Sequence, residues 1–326
     1  MKTYLTVFLL AFFSGCIFLN VLKRYSFKES IFRHKNNVSF LGGVGLLASF
    51  SLGVSIPFFY KRVHMPPELI HILIFSFIVF ITAAFDDLKE LSLSKKILVQ
   101  VIIICLFLVK GKLIQVYFIP LWGNYLISFL WLLGVTNMFN LLDIGDGLCV
   151  GVSLIAGLAF FIVLAISGNF ITAGLFAGLC GALLSCLIFN FPPAKIILGN
   201  SGSHFLGFLF ATLSIHGDYA TMANPYSVLI PLIILAFPMI DTLYLISIRF
   251  KKGLAPLRKS KDHIFLQLLV AKNKKRQALF NIYLVTFLWG VSGVLLFFKI
   301  NIFFLGCFTL AIISSARLIF SVQHNN

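Results

Sequence analysis

Eleven apolar runs punctuate the chain, at about residues 4–22, 41–59, 69–85, 95–110, 124–139, 148–167, 171–189, 205–222, 226–248, 280–298 and 302–320. Crossing the hydrocarbon of a bilayer takes about 20 mostly apolar residues, with a range near 17–25. Lipid offers backbone N–H and C=O groups no partner, so a spanning run must be a helix. The expected fold is therefore all-α: a polytopic membrane helical bundle of about 11 transmembrane helices. The fourth and fifth runs are the shortest, and the fourth needs Lys95, Lys96 and Lys110 to snorkel. Pro231 and Pro238 are expected to kink the ninth run without breaking it. The first run follows Lys2 as in a signal peptide, but it continues past Cys16 through Ile17, Phe18 and Leu19 and reads as an uncleaved span. No soluble domain interrupts the pattern, so residues 1–326 read as one integral-membrane domain.

Composition agrees and excludes the alternatives. Apolar residues make up 60% of the chain and charged residues 11%, where a soluble domain carries about 25% charged residues. A soluble enzyme, a nucleic-acid binder and a disordered chain are all excluded. The net charge of +16 then reflects loops facing anionic lipid rather than nucleic acid. Twenty Lys and Arg fall in one set of loops and six in the other. The richer set reads as cytoplasmic, with the N-terminus outside and the C-terminus cytoplasmic. None of the six cysteines is spaced as CxxC, so neither a zinc site nor a disulfide framework is indicated.

A chain with ten acids shows its chemistry by where it places them, and four fall in two clusters at inner span ends: Asp86-Asp87 and Asp143/Asp146. Adjacent carboxylates repel unless a cation neutralises them, an arrangement suited to a hard divalent ion and a phosphate-bearing substrate. The pair could equally mark a solvated helix end beside Lys89. In the second cluster Asn137, Asn140 and Asp143 lie three apart on one helix face, which must meet protein, water or substrate rather than lipid. Gly145 and Gly147 let the backbone turn closely there. A third segment, Asn190 to Ser203, carries Lys195 and a Gly199-Asn200-Ser201-Gly202-Ser203 turn that could cradle a phosphate on backbone N–H groups. A fourth, the basic loop with Lys259-Ser260-Lys261-Asp262-His263, offers an imidazole that is either a site group or an ordinary loop residue. Asp241, inside the ninth run, reads better as the partner of a basic group on another helix.

Together these segments resemble the polyprenyl-phosphate N-acetylhexosamine-1-phosphate transferase superfamily, glycosyltransferase 4. That family includes the enzymes that start wall teichoic acid, O-antigen and enterobacterial common antigen, and the lipid I synthase. Phe85 to Ser92 looks like the family's Asp-Asp segment, and Asn137 to Leu148 is similar to its Asn-x-x-Asn-x-x-Asp-Gly-x-Asp-Gly-Leu. Pro193-Ala194-Lys195 through Gly207 resembles Pro-Ala-Lys … Gly-Asp-x-Gly-Ser-x-x-Leu-Gly, and Leu41-Gly42-Gly43 matches the glycine pair opening the second span. The resemblance implies a phospho-N-acetylhexosamine transferase in a bacterial cytoplasmic membrane, with its active face cytoplasmic. A UDP-sugar, usually UDP-N-acetylglucosamine, would give its sugar-1-phosphate to undecaprenyl phosphate and release UMP, initiating a cell-envelope glycopolymer such as lipopolysaccharide or a wall polymer. It implies Asp86, Asp87 and Asp143 as catalytic residues, the first two acting on the lipid phosphate. Asn137, Asn140, Lys195, Ser201 and His263 would bind substrate. Asp143 and Asn200 would hold Mg2+, or Mn2+ in its place. The bilayer is the other partner, nucleic acid is not one, and a homodimer is compatible.

Three departures qualify the match. Asn200 stands where the family has Asp. His263-Ile264-Phe265-Leu266-Gln267 replaces His-x-His-His-Arg, and Asp143-Ile144-Gly145-Asp146 exchanges the Gly-x order. They support an alternative, a catalytically impaired homologue that binds polyprenyl phosphate or acts as a scaffold. A secondary transporter fits less well, because the acids sit at span ends rather than mid-membrane and no inverted repeat is visible.

Overall fold

A computed structural model describes residues 2–28, 41–60, 63–89, 91–116, 118–217, 219, 229–253, 262–270, 274–298 and 301–323. Its extended elements are thirteen α-helices: α1 (Lys2–Lys28), α2 (Gly42–Tyr60), α3 (Pro67–Leu88), α4 (Leu93–Leu108), α5 (Leu121–Leu142), α6 (Leu148–Ile166), α7 (Phe170–Asn190), α8 (Gly199–His216), α9 (Ile230–Ile234), α10 (Ala236–Lys251), α11 (Ile264–Val270), α12 (Lys275–Phe297) and α13 (Asn301–Gln323). The all-helical membrane architecture follows from the apolar runs. Among the described residues, eight helices are long and apolar enough to cross a bilayer: α1, α2, α3, α5, α6, α7, α12 and α13.

The other three predicted spans take different forms. α4 has only 16 residues. α8 has 18 and is buried along almost its whole length, including Ser201, Ser203, His204, Thr212 and Ser214. It packs against α2, α3 and α5, which is why a helix too polar to face lipid can occupy the middle of the bundle. Its hydroxyls bond back to the preceding turn, as Thr212 Oγ1 does to Phe208 O at 2.8 Å.

The ninth run is not the kinked single helix expected. It consists of α9 and α10, separated at Leu235. Pro238 has no N–H to offer Ile234, four residues back, so the ladder breaks there; Pro231 lies in the first turn of α9, where a missing N–H does no harm.

Small residues bring backbones together on the other side. α1 packs on α2 and α7, and a Cβ added at Gly181 would strike the Phe8 carbonyl, an approach typical of helices packed in lipid. Arg33, Lys35, Lys61, Arg62, Arg258, Lys259, Lys261, Lys272 and Lys299, which carry much of the orientation argument, lie outside the described residues.

Candidate functional site

Asp86 and Asp87 end α3, and as neighbours on a helix they point about 100° apart. Asp86 is 3% exposed. Its Oδ1 accepts the Leu91 N–H at 2.9 Å, and its Oδ2 meets Lys96 Nζ of α4 at 2.7 Å and Asn200 Nδ2 of α8 at 2.9 Å. Asp87 turns to α8. Its two oxygens accept the backbone N–H groups of Asn200 (2.8 Å) and Ser201 (2.9 Å). The first N–H groups of a helix have no partner within it and carry its positive dipole end, so Asp87 caps α8 from another helix. The mutual repulsion of two adjacent acids is thus met by an ammonium, an amide and a helix N-terminus.

This corrects one expectation. The Gly199–Ser203 turn was to cradle a phosphate, but the N–H groups of Asn200 and Ser201 are taken by Asp87. Ser201 is itself 3% exposed.

The glycine pair opening α2 holds this arrangement in place. Gly42 N–H bonds to Ile197 O at 3.0 Å and Gly43 N–H to Leu198 O at 2.9 Å. A Cβ at Gly43 would lie 2.5 Å from Gly202 N, closer than real atoms approach. Two helix starts therefore meet backbone to backbone.

α5 adds the polar stripe. Asn140 Oδ1 accepts from Ser203 Oγ of α8 at 3.2 Å, while Asn137 Nδ2 donates to Gln100 Oε1 of α4 at 2.7 Å. Asp143 is the half-buried C-cap of α5. The turn after it is staked from three sides. Gly147 N–H donates to Asn190 Oδ1 (2.9 Å), and Gly147 O accepts from Tyr283 Oη (2.6 Å). Asp146 Oδ2 lies 3.6 Å from Lys275 Nζ. Gly147 has φ +78°, which only a glycine adopts at no cost. Gly145 leaves room for the ring of Phe265, which a Cβ there would strike.

The structure thus joins Asp86, Asp87, Asn200, Ser201 and Asn140 around the start of α8. Lys195 is exposed on the surface. His263 is elsewhere: fully buried, with Nδ1 2.9 Å from Asp241 Oδ2, while Asp241 Oδ1 accepts the Ile264 N–H at 3.0 Å. Asp241 does have its basic partner, and it fastens the start of α11, whose Phe265 covers Gly145.

Lys96, Gln100 and His204 were missed as site residues. Lys96 and Gln100 are four apart and so share one face of α4, and His204 follows Asn200 by the same interval. That spacing was the available signal.

A divalent ion caged by protein alone does not suit the acid pair, whose oxygens already hold five donors. Among the described residues no three His, Cys, Asp or Glu side chains group together. What the residues do fit is an ion arriving on a phosphate ligand, because Mg2+ commonly needs one or two carboxylates besides substrate phosphates. Asp143, the half-buried C-cap of α5 three residues before Asp146, is a carboxylate of that kind.

Comparison with known proteins gives an independent result. A model of glycosyl transferase family 4 matches residues 69–218, a stretch containing both acid clusters and the start of α8. A Bacillus subtilis (strain 168) protein named as a probable undecaprenyl-phosphate N-acetylglucosaminyl 1-phosphate transferase is 31% identical over 265 residues, covering 78% of this chain and 72% of the relative. The undecaprenyl-phosphate alpha-N-acetylglucosaminyl 1-phosphate transferase of Escherichia coli (strain K12) is 24% identical, with 81% and 74% covered. A phospho-N-acetylmuramoyl-pentapeptide-transferase of Shouchella clausii is 30% identical, with 65% and 74% covered.

Proposed function

The chain belongs to glycosyl transferase family 4, and from that premise we propose that it moves a sugar-1-phosphate from a UDP-sugar to undecaprenyl phosphate. An oxygen of the lipid phosphate attacks the phosphorus that carries the sugar, a new diphosphate bond forms, and UMP leaves. The sugar is an N-acetylhexosamine, and the product starts a cell-envelope glycopolymer on the cytoplasmic face of a bacterial membrane.

One observation carries the reading: acids from α3 and amides from α5 and α8 converge at the start of a single buried helix. Phosphoryl transfer needs little covalent help from protein; positioning and charge neutralisation do most of the work. Asp86 and Asp87 face the lipid phosphate and orient it or take its proton. Asp143 shapes the donor site, with Asn137 and Asn140 beside it. Lys195, exposed on the surface, meets the donor phosphates, whereas Ser201 and His263, buried against Asp87 and Asp241, hold the surrounding helices in place. Lys275 and Arg276, near Asp146 and Pro192 O, add positive charge that draws an anionic nucleotide. Asp143 and Asn200 would hold Mg2+ or Mn2+ together with the donor diphosphate, and the ion would supply neutralisation of the departing charge.

A second reading, an impaired homologue that only binds the lipid, is favoured by one contact. Asn200 gives Asp86 a hydrogen where a carboxylate would give a metal a ligand. Purified protein with undecaprenyl phosphate, a panel of UDP-sugars and Mg2+ separates the two. UMP release that disappears in Asp87→Ala supports the transferase. Silence across the panel in folded wild type, with lipid still bound, rejects it for the second reading.

A further inference from the structure

Gly147 combines a permissive backbone with fixed surroundings. It has φ +78° and no Cβ, so its own sterics confine its torsions little. The bonds on either side confine them instead. Its N–H, in the peptide shared with Asp146, donates to Asn190 Oδ1 of α7 at 2.9 Å, and Asn190 is itself fixed by Nδ2 on Ile196 O at 2.8 Å. Its C=O, in the next peptide, accepts from Tyr283 Oη of α12 at 2.6 Å. Two planar peptides meet at one Cα, and each is pinned by a different helix, so the torsions between them are set from outside.

The bond from Tyr283 is not needed to satisfy the carbonyl. Gly147 O already accepts the Gly151 N–H at 2.9 Å, the first rung of α6. A phenylalanine ring would fill the same notch with no hydroxyl to desolvate. The notch is cut for the ring: a Cβ at Gly151 would strike it, and one at Gly147 would lie 3.2 Å from its hydroxyl. Tyr283 shares a face of α12 with Lys275 and Arg276, eight and seven residues earlier. Lys275 Nζ lies 3.6 Å from Asp146 Oδ2, and Arg276 Nη2 donates to Pro192 O at 3.1 Å. One helix face thus reaches the 143–147 turn twice and the neighbouring loop once. The acid pair is held by α4 and α8 instead, so this clamp acts on one carboxylate cluster and not on the other.

We propose that Tyr283 is a positioning residue for the nucleotide donor: by holding the Gly147 carbonyl, its hydroxyl sets the turn that carries Asp143 and Asp146. The inference rests on the donor site assigned above, and it adds a residue that touches neither substrate. Without the hydroxyl the glycine is held on one side only. Its acids then spread over several orientations, and binding the donor must first order them.

The test is Tyr283→Phe in the full-length protein in nanodiscs, with Leu284→Ala, an exposed neighbour on α12, as the control. Binding of UDP in millimolar Mg2+ and binding of undecaprenyl phosphate are measured separately, followed by the KM for each substrate. Tyr283→Phe should weaken UDP about tenfold, the low end for groups that orient a ligand-binding side chain. Undecaprenyl phosphate binding and the unfolding midpoint should stay close to wild type. The KM for the UDP-sugar should rise by the same factor, with kcat nearly recovered at saturating donor, and Leu284→Ala should match wild type throughout. Unchanged UDP affinity in Tyr283→Phe overturns the proposal, and UMP release in that same variant leaves the proposed reaction standing. Equal losses for UDP and undecaprenyl phosphate also overturn it, since the hydroxyl would then only hold the bundle together. So does a wild type that binds no UDP. UDP binding that weakens as expected, in a protein releasing no UMP, upholds the clamp and rejects the transfer.

Discussion

Asn200→Asp restores the residue found in the resembling family motif, and the structure says what that change does. The amide nitrogen lies 2.9 Å from Asp86 Oδ2, so a carboxylate there replaces a hydrogen bond with a like-charge contact. At about 4 Å between charge centres and an effective dielectric near 20, the repulsion is about 4 kcal/mol. Loss of a hydrogen bond to a charged acceptor adds about 1.5–3 kcal/mol. The new carboxyl has a cheaper route: taking a proton at pH 7 costs about 4 kcal/mol for a group that ordinarily titrates near 4. The loss should therefore level off at about 4 kcal/mol when no metal is present. A divalent ion changes this, because it neutralises the new carboxylate and Asp86, which otherwise repel each other. The assay is unfolding of detergent-purified wild type and variant, in EDTA and in millimolar Mg2+, without nucleotide. The variant should be markedly less stable in EDTA and regain most of the loss with Mg2+, as binding to the folded state alone requires. Wild type should be indifferent to Mg2+. A variant as stable as wild type in EDTA, or a wild type that Mg2+ alone stabilises equally, would refute the reasoning.

Other perturbations read the same contacts. Asp87→Ala orphans the N–H groups of Asn200 and Ser201; a loss of about 2–6 kcal/mol in unfolding stability is expected, at about 1–3 kcal/mol per group, together with loss of UMP release. Gly43→Ala drives a Cβ into Gly202 and should sharply reduce the yield of folded protein, whereas Gly134→Ala, with open space around it, should match wild type. Lys96→Met removes the counter-charge of a buried carboxylate; because Lys96 is 26% exposed, the expected loss in unfolding stability is about 2 kcal/mol, below the range for fully buried pairs. Asp241→Ala deprives His263 and the Ile264 N–H of their acceptor, and hydrogen exchange over Ile264–Val270 should accelerate while that of α7 stays unchanged.

Much of the helical bundle was legible because apolar length is a property of the chain itself. The break at Leu235 was less so: Pro238 was visible, but whether neighbouring groups bridge its missing bond depends on packing. α8 was read as an ordinary span because composition does not reveal that α2, α3 and α5 screen it from lipid. The acids announced the site, since carboxylates are rare in such a chain. Their partners did not. Lys96 read as an interfacial anchor, and Asn200 and His204 lie more than a hundred residues from Asp86. His263 shows the converse: chemically suggestive in the sequence, it sits buried against Asp241 because a helix the sequence leaves unplaced comes to rest there.

The span of those bonds has a consequence for how the protein is made. The groups of Asn200 and Ser201 that satisfy Asp87 lie 113 and 114 residues downstream of it. At about 5–20 residues per second, α3 waits about 6–23 s after its own synthesis for the start of α8 to be made. An ionised carboxylate in the membrane costs about 2.5–3.5 kcal/mol at the centre and less near an edge, so through that interval α3 has reason to rest with its acidic end at the interface. Lys96, only ten residues beyond Asp86, is available almost at once. Its first service comes before any substrate arrives: it accompanies a newborn carboxylate until the rest of the site has been translated.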